Sequence, residues 1–283
     1  MPNTQKNCAA IALAAFAAMG TIRSNAASYA AGDLLMGFVA GGGQGASQTL
    51  VVNLGPASSF RNNFDSGVSQ LNFKLIGSQL GAQFGNSWYD RTDLYISLFA
   101  STASDPIGDT LVFGDPFRTI YASRSRQTPS SSATAFSIAS NTAIGMTSAQ
   151  MVAASGTYSA TAADAFGVAI IPDGANTLDN YTKPSTSNSF TNLSGGIEQA
   201  FAAGSWGTMG PAGAVEAALD LQRLQAVNNV TGQYGFGETL RRGDFTGIFT
   251  INQAGSVSFV PEPTAPTILG LTLVAALLRR RRA

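Results

Sequence analysis

The sequence predicts a mainly β fold: an antiparallel, β-sandwich-like domain with one or two short helices, followed by a single C-terminal transmembrane helix. Short apolar runs rich in β-branched residues recur along the chain, separated by Gly, Pro, Asn and Asp turn signals. Their spacing is typical of a sandwich or barrel rather than of strands that alternate with long helices. An uncharged apolar run near the C-terminus predicts the membrane helix. An α+β arrangement of the folded part is the alternative.

The first part of the folded segment predicts a β-hairpin and then a helix. Strand-like runs at 32–39 and 48–54 flank the glycine-rich segment 41–46, and this pattern predicts a hairpin. Residues 68–84 place apolar side chains near helical spacing, which predicts an amphipathic helix that ends at Gly85.

The rest of the folded segment predicts strands and loops. Residues 127–142 are rich in Ser, Thr and Ala and predict an exposed loop. In 214–224 the alanines favour a helix, whereas the alternation of apolar and polar residues favours a strand, which is the preferred interpretation. Residues 243–251 and 256–259 predict a closing hairpin. Further short strands are predicted at 93–100, 110–113, 118–123 and 166–171.

Composition excludes several classes of function. The chain has no histidine, the side chain most often used as a general base near neutral pH and the commonest metal ligand. It also lacks the Gly-x-Ser-x-Gly and Ser-x-x-Lys motifs of serine nucleophiles, so no enzyme and no cofactor are predicted. Between residues 31 and 260 there are ten basic and fifteen acidic residues, which is not the basic footprint of a nucleic-acid-binding protein.

Residues 1–30 have the layout of a secretory signal peptide. A short polar start containing Lys6 precedes the uncharged apolar run 8–20, and small residues suited to signal peptidase follow at 24–30. The only cysteine, Cys8, lies in this segment, so the mature domain would contain neither a disulfide nor a thiol. The sequence therefore predicts export through the secretion translocon and cleavage by signal peptidase.

The C-terminal segment 261–283 combines three features in a fixed order. A Pro-Glu-Pro motif precedes the apolar run 264–278, and an arginine cluster closes the chain. Clustered arginines beside an apolar segment stay on the cytoplasmic side of a membrane, so the large segment 31–260 is predicted to lie outside the cytoplasm. The motif residues are Pro261, Glu262 and Pro263, and the membrane-stop residues are Arg279, Arg280, Arg281 and Arg282.

This tail resembles the PEP-CTERM sorting signal of Gram-negative environmental bacteria. The resemblance covers about the last two dozen residues and implies recognition by an exosortase, a membrane-embedded protease or transpeptidase that cuts near Pro261, Glu262 and Pro263. It further implies anchoring in the inner membrane, then a location at the cell surface or in the extracellular matrix after processing. Extracellular polysaccharide and biofilm are the setting that the resemblance suggests, and it implies no activity for residues 31–260.

Two carboxylate pairs invite a functional role: Asp90 with Asp93, and Asp105 with Asp109. Two acids would serve glycoside hydrolysis, and the oxygens of Asp105 and Asp109 could hold calcium. Neither pair lies in a twelve-residue calcium-loop pattern, and aspartate is common in turns. A turn role is therefore favoured, with a calcium site and an acid pair as alternatives; no catalytic residue is assigned.

A few aromatic and basic residues allow a carbohydrate-binding role as well as a structural one. Trp88, Tyr89 and Trp206 could stack on sugar rings, although core packing is the commoner role of such residues. Arg124 and Arg126 alternate on a predicted strand and could meet an acidic polysaccharide, although a solvated strand face is the preferred interpretation.

Three hypotheses for the function follow. The first is a non-enzymatic surface or matrix protein that is exported, anchored by its tail and processed by an exosortase. The second is a secreted carbohydrate-active enzyme that uses an Asp pair, and the third is a calcium-dependent adhesion module.

Overall fold

The computed structural model describes residues 29–66, 70–102, 115, 119–126, 136, 139–182, 199–200, 215–224, 240–241 and 243–261. Within them the chain is mainly β, as predicted. The strands are β1 (Asp33–Ala40), β2 (Gln48–Pro56), β3 (Gln70–Leu75), β4 (Leu94–Ser101), β5 (Ile120–Ser125), β6 (Ala139–Ser140), β7 (Val168–Pro172), β8 (Gln199–Ala200), β9 (Ala217–Leu224), β10 (Leu240–Arg241), β11 (Asp244–Ile251) and β12 (Ser256–Pro261). The helices are α1 (Ala57–Ser66), α2 (Gly77–Phe84), a 3₁₀ turn (Trp88–Asp90), α3 (Asn141–Ala160) and α4 (Leu178–Thr182).

Ten strands form one antiparallel sheet with the order β3-β12-β11-β9-β5-β4-β1-β2-β7, and β8 pairs with the start of β4. The short strands β6 and β10 pair with each other. The prediction of an antiparallel, mainly β domain is thus confirmed. In the described residues, however, the ten strands make one continuous sheet instead of the two stacked sheets of a sandwich.

The sheet curls around α1. This helix contacts β2 near one end of the strand order and both β11 and β12 near the other end. Its residue Phe60 is 2% exposed, and its ring centroid lies 4.9 Å from that of Phe249 and 5.2 Å from that of Phe259. The curl lets a single sheet bury its inner face without a second sheet.

Both faces of the sheet are covered, which accounts for the continuous apolar character of β1. Phe38 belongs to the inner cluster, with α1 and α2, whereas Leu35 belongs to the outer cluster, with Ile144 and Met151 of α3. All eight residues of β1 are buried, because successive side chains point to opposite faces and each face has a partner.

Both predicted hairpins form. β1 and β2 pair with Phe38 opposite Leu50, and β11 and β12 pair with Phe249 opposite Phe259. The second turn uses Gly255 at φ 76°, a backbone conformation that favours glycine. The preferred interpretation of 214–224 as a strand is also confirmed, since β9 spans Ala217–Leu224.

The helix predicted at 68–84 is wrong in its first half. Residues 70–75 form β3, in which Gln70, Asn72 and Lys74 alternate with three apolar residues, and this strand pairs with β12. The helix begins only at Gly77, where a Cβ atom would collide with the backbone oxygen of Ala254. Pairing with a distant strand outweighed the local helical spacing, whereas the end of the helix at Gly85 is as predicted.

The loop predicted at 127–142 is wrong where the structure describes it. Residues 139–140 form β6, the 20-residue helix α3 begins at Asn141, and Phe136 is only 1% exposed. Small and polar residues fill much of α3, so its sequence has no clear apolar stripe, and packing against β4, β5 and β7 favours the helix.

No helix in the described part of the chain is both long and apolar enough to span a membrane. The predicted membrane helix 264–278 lies outside the described residues, as do the predicted strand 110–113 and most of the signal peptide.

Candidate functional site

The structure brings several charged residues together at one end of the curled sheet. β4 and β9 are both antiparallel to β5, so both strands begin at this end. β1 ends here, where Ala40 pairs with Leu94, and β11 ends here, where Ile251 pairs with Ala217. The glycine-rich loop after β1, the 3₁₀ turn and the residues just before β9 therefore meet at the same end of the sheet.

Glu216 is a buried acid at this end. It directly precedes β9, and its backbone N–H donates a 2.8 Å hydrogen bond to the carbonyl oxygen of Ile251. The residue is 6% exposed, and among the described residues no donor reaches its shielded Oε2 atom. Burial raises the pKa of Glu216, and the negative charge of Asp90 raises it further. The ionised form of Glu216 is therefore unfavourable in the folded protein, and the protonated form is favoured.

Asp90, whose charge acts on Glu216, is exposed. It is the last residue of the 3₁₀ turn, and its backbone N–H donates to the carbonyl oxygen of Ser87 at 3.0 Å. In the same turn Trp88 is 2% exposed and belongs to the inner core, while Tyr89 is half-buried and packs edge-on against it. Because the ring of Trp88 is buried, it cannot stack on a sugar at the surface.

Asp93 is not available as the second acid of a pair with Asp90. The guanidinium of Arg91 binds it with two hydrogen bonds, from Nε at 2.9 Å and from Nη2 at 2.8 Å. These bonds hold the pKa of Asp93 below its usual value. Arg91 also donates to the carbonyl oxygens of Gly42, at 2.6 Å, and Gln44, at 2.7 Å, so the ion pair holds the glycine-rich loop against the start of β4.

The acid on which the charge of Asp90 acts is thus Glu216. The sequence analysis missed Glu216, because the two acids are far apart in the chain and only the fold brings them together. A signal was nevertheless present: Glu216 is a lone acid in the apolar run 214–219. When such a run is buried, its carboxylate either has a hydrogen-bonding or charged partner or has a shifted pKa.

A second charged cluster lies at the opposite end of β9. Asp115 is 1% exposed and receives hydrogen bonds from Arg61 of α1 and Arg223 of β9, the latter at 2.8 Å from Nε. The hydroxyl of Tyr121 donates to its other oxygen at 2.7 Å. Burial, and then the charge of Asp115, raise the pKa of Tyr121. Both oxygens of Asp115 are used within the protein, so this cluster stabilises the fold.

Of the two arginines predicted to lie on a solvated strand face, Arg124 is on β5 and half-buried, and Arg126 directly follows β5 and is buried. Arg126 is 5% exposed and forms an ion pair with Asp220, which is fully buried. The guanidinium of Arg124 lies over the ring of Phe136, 4.8 Å from its centroid. The solvated strand face preferred for them is wrong for the buried Arg126, and both side chains have partners inside the protein.

A shallow groove of about 470 Å³ lies between α2 and the edge strand β7. Its carboxylate, Asp164, accepts hydrogen bonds from the backbone of Phe166 at 2.8 Å and Val168 at 2.9 Å, and from Gln79 at 3.0 Å. Because these bonds hold the turn before β7, Asp164 has a structural role in the groove.

The remaining predicted site residues lie mostly outside the described part of the chain. Pro261 is the exception: it is buried and is the last residue of β12. Within the described ranges, no three His, Cys, Asp or Glu side chains are grouped closely enough to hold a metal ion. The residues outside are Asp105, Asp109, Trp206, Glu262, Pro263, Arg279, Arg280, Arg281 and Arg282.

Comparisons with protein-family models, with curated proteins and with solved structures found no match to this chain.

Proposed function

We propose that the protein is an exported surface or extracellular-matrix protein, anchored in the inner membrane by residues 264–278 and processed by an exosortase at the motif 261–263. In this proposal the β domain lies outside the cytoplasm and acts by binding or by forming structure, not by catalysis. Extracellular polysaccharide is its proposed partner.

The observation that carries the proposal is the position of Pro261. It is the last residue of β12 and pairs with Gly247, so the sorting motif starts where the sheet ends. β12 lies between β3 and β11 and is hydrogen-bonded on both sides. A protease cutting after Pro261 would release the domain with its sheet intact, whereas a cut within β12 would shorten a strand that is hydrogen-bonded on both sides.

The two ends of the chain support the same topology independently. The apolar run 8–20 is typical of an export signal, and the arginines at 279–282 are typical of a cytoplasmic end. Together they support a location of the domain outside the cytoplasm.

The charges of the domain support a non-catalytic role. Asp93 binds Arg91, Asp115 binds Arg61 and Arg223, and Asp220 binds Arg126. Carboxylates held by arginines are poor acids and bases near neutral pH, because the ion pair stabilises their charged form. An enzyme using Asp90 and Asp93 is accordingly disfavoured.

The test uses one epitope after Gly174, in an exposed turn, and a second after Ala283. The full chain is expressed in a host with its exosortase and in an otherwise identical host without it. We expect the exosortase host to yield an extracytoplasmic species that carries the first epitope and has lost the second. In the other host both epitopes should stay on one membrane-bound species.

Two variants sharpen this test. Glu262→Ala, in the motif, should remain unprocessed in both hosts, whereas the matched control Asp244→Ala, at an exposed site on β11, should be processed like the wild type. A tail retained in the exosortase host, or a first epitope shielded from protease added to spheroplasts, would contradict the proposal.

A further inference from the structure

We propose that the groove between α2 and β7 binds a short segment of a neutral polysaccharide chain. This inference rests on the proposed function, because it gives a site and a chemical class to the extracellular polysaccharide named there as the partner.

The walls of the groove come from the two edges of the curled sheet. Gln79 and Gln83 lie on one face of α2, which follows the edge strand β3. Val168 and Ile170 belong to the opposite edge strand, β7. The Nε2 atom of Gln79 donates to Asp164 at 3.0 Å, which joins the two walls. The volume of about 470 Å³ lies within the range of about 300–1,000 Å³ typical of small-ligand sites.

The groove offers groups that both donate and accept hydrogen bonds. The Nε2 atom of Gln83 donates to Gln48 at 3.0 Å, and no donor in the described residues reaches the Oε1 atom of Gln83. Across the groove, Ile170 presents its backbone N–H and C=O on the unpaired side of β7. A sugar hydroxyl also both donates and accepts, so a row of hydroxyls suits these groups.

The lining also has an apolar part. Val168 and Ile170 continue into the inner core, and the small side chains of Ala82 and Ala163 leave the space above them open. Phe166, in the turn that leads into β7, is 55% exposed. A sugar ring has apolar C–H faces as well as hydroxyls, and an exposed aromatic ring offers it a flat surface for stacking.

The charges around the groove favour a neutral polysaccharide over an acidic one. None of the described residues that line the groove is basic, and Asp164 is acidic. The nearby amine of Lys74 donates to the carbonyl oxygen of Asn53 at 2.8 Å, so it is used within the protein. Residues 31–260 also carry more acidic than basic residues, which would repel a polyanion.

The backbone of β7 disfavours a peptide as the occupant. An added strand is held by successive main-chain hydrogen bonds along an exposed sheet edge. The N–H of Val168 already donates to Asp164, at 2.9 Å, and Pro172 has no N–H. Of the three outward residues, Ile170 alone therefore offers a complete donor and acceptor pair, which suits a single sugar better than a strand.

Affinity electrophoresis of the full-length protein in detergent tests the inference. The native gels contain dextran, galactomannan or a mixed-linkage β-glucan as neutral polysaccharides, or alginate as an acidic one, each run beside a gel without polysaccharide. We expect at least one neutral polysaccharide to retard the wild type, and we expect alginate to leave its mobility unchanged. Gln83→Ala should weaken the binding by about 2- to 12-fold, because it removes a hydrogen bond between uncharged groups.

Two tryptophan variants distinguish the groove from other surfaces. Ala82→Trp fills the groove from an exposed position on α2 and should abolish the retardation. The matched control Ala149→Trp, at an exposed position on α3 on the other side of the sheet, should be retarded like the wild type. Tm values equal to that of the wild type show that both variants are folded.

Several outcomes would overturn the inference. These are wild-type retardation of folded Ala82→Trp, stronger retardation of the wild type by alginate than by every neutral polysaccharide, and no retardation by any of the four. Binding of a short peptide of alternating Thr and Val that Ala82→Trp abolishes would also overturn it. A processed tail without retardation would overturn the site and leave the sorting proposal standing, whereas retardation with an unprocessed tail would contradict only the sorting proposal.

Discussion

Lys74 on the edge strand β3 donates a 2.8 Å hydrogen bond to the backbone carbonyl oxygen of Asn53 on β2. In the strand order β3 is one edge of the sheet, and β2 is next to the other edge, β7. The bond therefore joins the two sides of the curled sheet across its opening. Burial lowers the pKa of Lys74, and the charge of Asp164 partly offsets this effect.

Replacing Lys74 with Met should weaken this closure. The variant leaves the Asn53 carbonyl without its charged donor, so we expect the free energy of unfolding in urea at pH 7 to fall by about 1–3 kcal/mol. The sign of the pH effect follows from the lowered pKa: the folded protein binds fewer protons than the unfolded chain between the folded pKa and about 10.5. Wild-type stability should gain from Lys74 as pH rises through that window, and Lys74→Met should lack this gain. Equal stability of the two proteins at pH 7 would contradict the role of Lys74 in closing the sheet.

Asp115→Asn should be strongly destabilising. The substitution leaves the guanidinium groups of Arg61 and Arg223 beside a neutral amide in a buried site, and loss of one partner of a buried ion pair typically costs about 3–5 kcal/mol. For a domain of this size we expect Tm to fall by roughly 10 °C in differential scanning calorimetry. The matched variant Asp244→Asn, which is exposed, should change Tm by little. Similar Tm values for both variants would show that the Asp115 cluster does not hold α1 to β9.

Glu216→Gln should stabilise the protein at neutral pH. The pKa of Glu216 is raised in the folded state, so the wild type loses stability as pH rises from the unfolded value, about 4.3, through the folded value. The glutamine does not ionise, so its Tm advantage should be largest at pH 7 and should vanish toward pH 4. Tm measured between pH 4 and pH 8 checks this prediction, and a difference that does not vary with pH would contradict it. Asp90→Asn removes the charge that adds to the effect of burial, so the loss of stability with rising pH should be smaller and should end at a lower pH than in the wild type. Its Tm at pH 7 should lie between those of the wild type and Glu216→Gln.

The edge strand β7 is protected against pairing with another chain. The carbonyl oxygen of Gly167 accepts a hydrogen bond from Asn53 of β2, and the N–H of Asp173 donates to Ser47, just before β2. The alternate residues Val168, Ile170 and Pro172 therefore present their backbone outward. The N–H of Val168 donates to the side chain of Asp164, and the carbonyl oxygen of Val168 accepts from the N–H of Asp164. Pro172 has no N–H, so of these three residues Ile170 is the one that keeps an outward N–H.

Removing this protection should promote aggregation. We expect the double variant Asp164→Ala/Pro172→Thr to aggregate several-fold faster than the wild type in light scattering at a temperature well below Tm. Pro172→Thr alone should aggregate at an intermediate rate with little change in Tm, because its side chain is exposed. Aggregation of the double variant at the wild-type rate would show that the edge is protected by other means.

Local patterns predicted the elements whose partners are close in sequence. The hairpins β1–β2 and β11–β12 form as expected, because a glycine-containing turn and its flanking apolar runs specify the pairing together. Local patterns failed at residues 70–75, where the apolar spacing fits a helix but pairing with β12 stabilises a strand. Local patterns also failed at α3, because packing against the outer face of the sheet favours a helix that the sequence of α3 alone barely indicates.

The sequence by itself determined the mainly β class, the two hairpins and the absence of histidine chemistry, because these depend on composition and on neighbouring residues. Only the tertiary structure decided that the strands form one curled sheet, that Asp93 pairs with Arg91, and that the charge of Asp90 acts on Glu216. The physical reason is that burial and electrostatic partnership depend on distance in space. Residues far apart in the chain become neighbours only after the sheet has curled around α1.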